Sequence, residues 1–330
     1  MRALTPTIAV VGAGLMGRWH ARAAHRLGAR IVAVIDADRA RAVSLARVYN
    51  ALALIDLVEL PIAVDVMHLC SPANTHAELI AQAFGRGSHV VCEKPLTVTA
   101  SELQHTLALA RAADRKLIPV HQFPFQRGAS WLQRNIETLG DIRRIEFMFC
   151  SAGTEMVAGM RPEQLVRELL PHPLSILHSL RIAVASLDWQ VAATHPGEMQ
   201  AMCAANGMGI SLAISTSARP TRAAATIYGT RASALLDFFH GYVTLRRGNT
   251  SRADKLLRPF AESAGQSVSA AANLARRAVT GESAYPGLAS LLKRFYACLG
   301  TPAPPPIDEQ AIVDIYTGGF DLDHRIRLAS

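Results

Sequence analysis

The chain opens with a short apolar run that leads through a glycine-rich turn into a helical pattern. The run Thr7–Val11 precedes the turn, and helical composition follows over Leu15–Leu27. G-x-G-x-x-G is common by chance, but at a strand-to-helix junction its first glycine makes the tight turn, its second admits a pyrophosphate and its third lets helix and strand pack closely. The turn therefore predicts a dinucleotide-binding unit. The residues assigned to it are Gly12, Gly14, Leu15, Met16 and Gly17.

Short β-type runs and helical segments alternate from Thr7 to Val120. This alternation is typical of a parallel sheet built through right-handed crossovers, so it predicts a doubly wound α/β domain. The predicted strands are Thr7–Val11, Ile31–Ile35, Val64–Leu69, His89–Cys92 and Leu117–Val120. The predicted helices are Leu15–Leu27, Asp38–Tyr49, Thr75–Arg86 and Ser101–Arg115.

The pattern changes after His121. We expect a helix near Ser130–Thr138, a strand near Arg143–Cys150, a helix around Glu163–Leu187 and a last helix near Asp308–Tyr316. Several strands separated only by turn signals lie between Trp189 and Arg247, which predicts an open-faced, mainly antiparallel sheet in an α+β domain. The domains are therefore placed at 1–122 and 123–330, with the last helix free to pack back on the first domain.

Composition is that of an ordinary globular protein, with 330 residues, 50% hydrophobic and 18% charged. The first apolar run begins at residue 7, which leaves no room for a signal peptide. The five cysteines lie far apart without a C-x-x-C pair, so neither a structural metal nor a disulfide framework is predicted, and a cytoplasmic location fits. The uncharged run Met199–Ala218 is interrupted by Asn206-Gly207, a hairpin signal that favours two strands over a membrane span.

Asp36 ends the second apolar run, 19 residues after Gly17. A carboxylate there accepts hydrogen bonds from the adenosine ribose and repels a 2′-phosphate, which favours NAD. Arg39 and Arg41 follow, and they could pair with that phosphate, so NADP stays open. The alternative is that Arg39 simply belongs to the solvated start of a helix.

Two further strand ends carry polar groups at the edge where such sheets bind ligands. Ser71-Pro72 and His76 follow the strand Val64–Leu69, and we assign them to cofactor binding, with helix capping by Asn74 or Thr75 as the alternative. Glu93-Lys94-Pro95 follows the next strand. We assign Glu93 and Lys94 to the same site, although a Lys-Pro pair by itself is more often a surface turn.

These motifs resemble those of the glucose-fructose oxidoreductase, inositol dehydrogenase and MocA family. The similarity covers most of the chain and is best in the first domain. Its motifs are the glycine-rich turn, Ser71-Pro72 with His76, Gly87, Glu93-Lys94-Pro95, Gly140-Asp141-Ile142 and Ile227-Tyr228-Gly229-Thr230.

The resemblance implies hydride transfer between nicotinamide and a hydroxyl-bearing carbon of a sugar, a cyclitol or a nucleotide sugar. It also implies that Lys94 contacts the nicotinamide ribose and the reacting oxygen, often beside a cis bond at Lys94-Pro95. An ammonium there stabilises a developing alkoxide and can relay a proton.

The family's second catalytic motif is an aspartate and a histidine four residues apart, and its place here is taken by Glu168 and His172. Such spacing puts both side chains on one helical face, where a carboxylate can orient the imidazole. Two features depart from the pattern: glutamate replaces aspartate, and Ser175 stands where relatives have an acid. In addition, Pro171 marks a helix start or kink, which could move Glu168 off the face that His172 occupies. We nevertheless predict His172 and Glu168 as catalytic residues.

Three residues are predicted to contact the substrate. His121 and Gln122 end the last strand of the first domain, where relatives carry polar substrate contacts. The arginine common in relatives is not in register here, although Arg127 is close. His178 is placed in the pocket, with a partly buried helix histidine bonded to a backbone group as the alternative.

Basic residues accumulate between Arg246 and Arg294, where nine of them stand against three acidic residues in a chain of net charge +8. An anionic substrate or a membrane surface would attract this segment, whereas a solvated helical face would need no partner. No nucleic-acid-binding signature accompanies the charge. The resemblance further implies a homo-dimer or homo-tetramer. A non-catalytic nucleotide-binding regulator of the same fold is the alternative function.

Overall fold

A computed structural model of the chain describes residues 5–151, 161–248, 252–282 and 285–329, with the side chains of 252–255 left out. The contacts divide the chain into two units. The first comprises residues 1–121 and 288–313, and the second comprises residues 122–287 and 314–330. The C-terminal part of the chain is thus shared between the units.

The first unit is built on a six-stranded sheet of order β3-β2-β1-β4-β5-β6, in which every pair is parallel. Its strands are β1 (Thr7–Val11), β2 (Arg30–Ile35), β3 (Leu52–Leu54), β4 (Val66–Leu69), β5 (His89–Cys92) and β6 (Leu117–Pro119). Its first helices are α1 (Leu15–Arg26), α2 (Arg39–Tyr49), α3 (His76–Gly85) and α4 (Ala100–Ala112). The predicted doubly wound Rossmann sheet is confirmed, and β3 is an edge strand that the sequence analysis missed.

The strand order reverses between β1 and β4, so a crevice lies at the carboxyl ends of these two strands. The central strands are apolar without alternation because both faces are covered, and Ile8, Val10 and Met67 are fully buried. The glycine-rich turn and the Ser71-Pro72 loop both begin at this reversal point. The topology therefore brings the two predicted cofactor motifs to one edge.

The second unit is built on a seven-stranded sheet of order β13-β12-β11-β7-β10-β9-β8. Its strands are β7 (Ile142–Cys150), β8 (Gln190–His195), β9 (Glu198–Ala205), β10 (Met208–Ser215), β11 (Arg222–Gly229), β12 (Ala232–Asp237) and β13 (Tyr242–Arg247). Its helices are α5 (Arg127–Arg134), α6 (Pro162–Leu169), α7 (Pro171–Ser179) and α8 (Arg252–Thr280). All neighbouring strands are antiparallel except β7 and β10, so the predicted mainly antiparallel sheet is confirmed.

The uncharged run Met199–Ala218 forms the hairpin of β9 and β10, as predicted. Asn206 and Gly207 take φ values of 51° and 75°, the left-handed pair that a two-residue hairpin turn requires. Among the described helices, none combines the length and the apolarity needed to cross a membrane.

The prediction of a single helix around Glu163–Leu187 is wrong, both in the number of helices and in where the helical segment ends. The structure has two helices, α6 and α7, which meet at Leu170, and the second ends at Ser179. Pro171 stands at the first position of α7, where its missing N–H costs nothing.

The last two helices are α9 (Leu288–Cys298) and α10 (Glu309–Ala329), the latter longer than the predicted Asp308–Tyr316. Within the first unit, α9 packs against α1. The ammonium of Lys116 donates to the carbonyl oxygens of Cys298 at 2.7 Å and Thr301 at 2.9 Å. These bonds satisfy carbonyls at the carboxyl end of α9 and anchor it beside β6.

Candidate functional site

The glycine-rich turn shows why each glycine is needed. Gly12 has a φ of 96°, and a Cβ there would lie 2.6 Å from the Cys70 backbone. A Cβ on Gly17 would lie 1.8 Å from the carbonyl oxygen of Gly12. By contrast, a Cβ on Gly14 would meet no described atom within 4 Å. The first and third glycines serve close packing, whereas the second leaves open space at the amino end of α1.

That open space suits a phosphate group. Gly14 is the N-cap of α1 and offers no side chain to the first N–H groups of the helix. Such groups, with the positive end of the helix dipole, bind phosphate oxygens. The side chain of Leu15 is 63% exposed, and Met16 is half-buried. The turn fits the pyrophosphate of a dinucleotide.

Asp36 lies beside this turn at the end of β2. Its carboxylate accepts the N–H of Ala13 at 2.7 Å and the N–H of Asp38 at 2.9 Å. Arg41 approaches the carboxylate of Asp36 at 3.5 Å and that of Asp38 at 3.1 Å. The carboxylate is thus fixed beside the glycine turn, and Arg41 is engaged with two acids.

A hydrogen bond between two of its own side chains stabilises the loop after β4. Ser71 Oγ lies 2.7 Å from Thr75 Oγ1, while Pro72 is exposed. The alternative of a capping role for Thr75 is wrong, since Thr75 is the N-cap of α3 but makes no side-chain capping bond.

His76 is 1% exposed and lies between two backbone segments. Its Nδ1 is 2.8 Å from the Pro95 carbonyl oxygen and its Nε2 is 3.0 Å from the Ser71 carbonyl oxygen. The prediction assigned this side chain to the cofactor. Its geometry instead makes it a brace that holds the Ser71 and Pro95 loops together.

Glu93 and Lys94 follow β5 as expected, and the peptide bond between Lys94 and Pro95 is cis, as the resemblance implied. Lys94 is half-buried. The Glu93 carboxylate accepts the Lys94 N–H at 3.2 Å and lies 3.0 Å from His20 Nε2. With 7% of the residue exposed, Glu93 is committed to these partners rather than presented to a cofactor.

In the second unit, His172 is 7% exposed and stacks on Phe123, with ring centroids 4.2 Å apart and planes 14° apart. Phe123 in turn stacks on Phe238 at 4.8 Å. The ring plane of His172 is therefore fixed by aromatic packing. Half-buried Glu168 lies in the last turn of α6, so its four-residue spacing to His172 spans the junction of two helices.

His178 is a half-buried histidine of α7, as its alternative interpretation had it, but its partner is a carboxylate of α10 and not a backbone group. Its Nδ1 lies 2.7 Å from Asp314 Oδ2. Asp314 also accepts the N–H groups of Val184 at 3.0 Å and Ala185 at 2.9 Å. The placement of His178 in a substrate pocket is corrected accordingly, because its Nδ1 links α7 to α10.

The same contacts fix the ionisation of Asp314. Burial alone would raise its pKa, but the bonds from Ala185, His178 and Val184 together hold the pKa below the usual 3.8. A carboxyl group whose pKa is lower in the folded state stabilises the fold above its ordinary pKa, and this contribution is lost as the pH falls.

Asp314→Asn is therefore expected to destabilise the protein by about 1–3 kcal/mol at neutral pH, since buried N–H groups lose a charged acceptor. Thermal unfolding followed by circular dichroism measures this. The deficit should shrink below about pH 4, where the wild-type carboxylate becomes protonated too. Asp321→Asn removes an exposed acid of the same helix and is the control. Equal melting temperatures for the Asp314 variant and wild type at neutral pH would contradict this account.

The remaining predicted substrate contacts are buried, with His121 1% and Gln122 7% exposed. Arg127 begins α5 and lines a cavity of about 370 Å³ in the second unit, together with Trp131, Tyr242 and Asn273. Arg127 is exposed, and Asn273 donates to the His240 carbonyl oxygen at 2.7 Å. A cation, two aromatic rings and an amide make this cavity suited to a polar, anionic ligand.

Sequence reasoning missed a set of polar groups in the first unit: the buried side chains of His20 and His68 and the half-buried side chain of Tyr296. His20 follows Gly17 by three residues, which places it on the buried face of α1 with Ala21 and Ala24. That spacing was a signal available in the sequence. His68 lies inside an apolar strand, and Tyr296 is 228 residues away from it.

The glycine turn at the reversal point of a parallel sheet, with a carboxylate fixed beside it, defines the first unit as a dinucleotide-binding Rossmann domain. Residues 7–121 match the model of an oxidoreductase family with an NAD-binding Rossmann fold, GFO_IDH_MocA. Within these residues the resemblance to that family is confirmed, as is the NAD-binding Rossmann fold.

Relatives agree with this assignment. Inositol 2-dehydrogenase of Rhizobium meliloti is 33% identical over 117 residues, which are 35% of this chain and 36% of that protein. The match thus spans about a third of the length of that relative. UDP-N-acetylglucosamine 3-dehydrogenase GnnA of Acidithiobacillus ferrooxidans has a similar fold, with a TM-score of 0.73 at 18% identity over 99% of this chain and 98% of that one.

The WlbA dehydrogenase of Bordetella pertussis, solved with NADH and UDP-GlcNAcA, has a TM-score of 0.75 at 15% identity. The alignment covers 98% of this chain and 94% of that one. At these sequence identities the two solved structures show only that the two units of this chain have the same folds as the corresponding parts of those proteins.

Proposed function

We propose that the protein is an NAD-dependent dehydrogenase that transfers a hydride between nicotinamide and a secondary alcohol or ketone of a sugar, a cyclitol or a nucleotide sugar. The observation that carries this proposal is Lys94, half-buried at the carboxyl end of β5 in an NAD-binding Rossmann unit. The named activities of the relatives, on inositol and on UDP-N-acetylglucosamine, support the substrate class. In this proposal the first unit binds the cofactor and the second contributes to substrate binding.

Lys94 is the first acid–base candidate. The nicotinamide, when bound, supplies the hydride acceptor or donor. An ammonium beside the reacting oxygen stabilises negative charge on it and exchanges its proton. His172 is the second candidate, because its ring is held by Phe123 and an imidazole can both donate and accept a proton. Glu168 would act through His172 as a positioning residue.

NAD is the proposed cofactor rather than NADP. A 2′-phosphate beside Asp36 would meet the charge of a carboxylate, and Arg41 is already paired with Asp36 and Asp38. Because two acids share this cation, it is a poor phosphate partner. The roles of Gly12, Gly14, Ser71 and Pro72 in cofactor binding are part of this proposal.

The substrate is proposed to carry an anionic or strongly polar group. The cavity of Arg127, Trp131 and Asn273 supports this, since a guanidinium binds carboxylate and phosphate in two-pronged geometry.

The test is a titration of NADH and NADPH, followed by fluorescence, and then an assay of cofactor reduction with a panel of inositols, hexoses, uronic acids and UDP-sugars. We expect NADH to bind more tightly than NADPH, and we expect at least one compound of the panel to reduce the oxidised cofactor. Absence of NADH binding would refute the proposal. Binding without reduction by any panel member would favour the non-catalytic regulator.

We further propose a homo-dimer or homo-tetramer in a reducing, cytoplasmic compartment, which all five cysteines fit as free thiols. Two surfaces support self-association. One face of the second sheet exposes Met148, Met202 and Tyr228. The other surface is α8, which exposes the large apolar side chains Leu256, Phe260, Leu274 and Val279. It also exposes a set of apolar residues at a spacing of four and three: Leu257, Ala261, Ala264, Val268, Ala271, Ala275 and Ala278.

This spacing is that of a coiled-coil seam. Two charged side chains of α8 are paired within the second unit instead: Glu262 lies 3.7 Å from Arg246, and Arg276 pairs with Glu282 at 2.6 Å. A membrane-surface helix would need free cations beside its apolar face. A second copy of the same helix, with its small alanine side chains, suits the seam better than a bilayer.

If the subunits pair through α8, Val268→Glu is expected to convert a dimer to monomers, or a tetramer to dimers. The reason is that a charge at the centre of a paired seam is costly to bury. Sedimentation velocity over a range of concentrations measures the change. Ser263→Glu, on the same helix but off the seam, should leave the mass unaltered. An unchanged oligomer in the Val268 variant would exclude this surface.

A further inference from the structure

The side chain of His76 joins the two loops that carry Ser71 and Lys94. His76 is the first residue of α3 and is 1% exposed. Its Nδ1 lies 2.8 Å from the carbonyl oxygen of Pro95, and its Nε2 lies 3.0 Å from that of Ser71. One buried ring thus connects the backbone that follows β5 with the backbone that follows β4.

This connection lies just past the end of the sheet. The ladder between β4 and β5 ends with the N–H of Glu93, which donates to the carbonyl oxygen of Leu69 at 2.9 Å. Beyond that bond the two chains become loops, and the ring of His76 bonds to both of them. A side chain therefore continues the link that the ladder provides within the sheet.

The loop after β4 also lies directly against the glycine-rich turn. A Cβ on Gly12 would lie 2.6 Å from the backbone carbonyl carbon of Cys70 and 2.9 Å from the backbone nitrogen of Ser71. The turn and the loop are thus in close backbone contact, and His76 extends this contact to Pro95. The glycine turn, the Ser71 loop and the Pro95 loop are connected in that order.

Both ring nitrogens of His76 face backbone carbonyl oxygens, which accept hydrogen bonds and cannot donate them. A ring nitrogen without a proton would place its lone pair against the lone pairs of an oxygen at one of these short distances. The ring therefore bonds to both loops only if both of its nitrogens carry a proton. Each bond is then charge-assisted, and such bonds are shorter and stronger than neutral ones.

The same two strands are also joined at their other end, by Ser88. Its hydroxyl is fully buried just before β5 and donates to the carbonyl oxygen of Val64, just before β4, at 2.7 Å. Ser88 thus joins the amino ends of the strands, whereas His76 joins the loops at their carboxyl ends. An open α/β sheet binds its ligand at the carboxyl ends, so His76 lies at the end where loop positions affect binding.

We propose that His76 is a positioning residue for Lys94 and for the nicotinamide half of the cofactor. By donating to both loops, His76 fixes the Lys94 backbone relative to the Ser71 loop and, through that loop, relative to the glycine turn. This inference rests on the proposed dehydrogenase function, in which Lys94 and Ser71 contact the cofactor. The role acts through the backbone and needs no contact between the imidazole and the cofactor.

Calorimetric titrations with NADH and with ADP test this role, because ADP lacks the nicotinamide half of the cofactor. His76→Asn keeps a donor near the position of Nδ1 and His76→Gln keeps one near that of Nε2, so each variant can bond to one loop but cannot join both. We expect NADH affinity to fall about fivefold in both variants, the effect of one net hydrogen bond, because a loosened edge must be ordered on binding. ADP affinity should stay within about twofold of wild type.

Ser88→Ala is the matched control, since it removes a buried hydrogen bond between the same two strands at their opposite end. It should lower the melting temperature and leave both affinities as in wild type. A purely structural role of His76 would lower stability without a selective loss of NADH. Unchanged NADH affinity in the His76 variants, an equal loss of NADH and ADP affinity, or the same selective loss in Ser88→Ala would overturn the proposal.

If the His76 variants do not fold, the native protein still decides. Among its twelve histidines, labelled with ¹⁵N, the ring of His76 must show a proton on both nitrogens at the pH of the titrations. A ring with a single proton would overturn the bridge between the loops. Absence of NADH binding by the wild type would overturn the dehydrogenase proposal as well, whereas NADH binding without the selective loss would overturn only the role of His76.

Discussion

Lys94→Ala is expected to reduce kcat by about 10²- to 10⁴-fold, the range that a positioned acid–base group contributes. NADH affinity should change by less than about tenfold, because the proposed contacts to the phosphates and the adenosine lie elsewhere, at Gly14 and Asp36. Stopped assays of cofactor reduction and NADH fluorescence titrations give the two quantities separately.

Lys94→Arg serves as the companion variant. It keeps a positive charge but has a guanidinium that does not release its proton near neutral pH. We expect this variant to bind NADH and to remain severely impaired in turnover. If either variant retained turnover within tenfold of wild type, Lys94 would have no place in the proton transfer.

Gly14→Val is expected to lower NADH affinity at least about 100-fold while leaving the fold intact, a loss of roughly 2.7 kcal/mol of binding free energy. Gly14 has φ and ψ of −68° and −162°, an extended conformation with a negative φ, and a Cβ there meets no described atom within 4 Å. The added methyl groups would occupy the space in front of the first N–H groups of α1. Fluorescence titration and a melting curve together test this expectation.

Valine substitutions at two other glycines serve as controls for NADH affinity and for folding. Gly209→Val adds the same side chain in β10, also into open space, and should affect neither property. Gly17→Val should instead prevent folding of the first unit, because its Cβ would lie 1.8 Å from the Gly12 carbonyl oxygen. Normal NADH binding in a folded Gly14→Val protein would move the pyrophosphate away from the glycine turn.

The first sheet could be predicted from sequence because its information is local. Strands such as Thr7–Val11 and His89–Cys92 are apolar runs bounded by turn residues, and their predicted bounds agree with the structure. β3 was missed because three residues at an edge carry too little pattern to detect. The break between α6 and α7 was signalled by Pro171, but only the structure locates it.

The candidate site was predictable in part. Motif residues at strand ends, such as Gly14, Asp36 and Lys94, are placed by the topology and were found. Side chains whose role depends on a distant partner were not. The sequence around His178 does not indicate that it pairs with Asp314, 136 residues later. The sequence around Glu93 likewise does not indicate a contact with His20. Pairings of this kind are set by tertiary packing, which single-sequence patterns do not encode.

The division of the first unit between residues 1–121 and 288–313 has a consequence for how the protein is made. A ribosome must synthesise nearly the whole second unit before Tyr296 and the carbonyl groups bound by Lys116 emerge. Until then His68 lacks its hydrogen bond to Tyr296, and α1 lacks the helix α9 that packs against it. Final consolidation of the cofactor domain is thus a late event in translation, and a ribosome that stalls before residue 288 releases a chain whose cofactor domain lacks its closing helix.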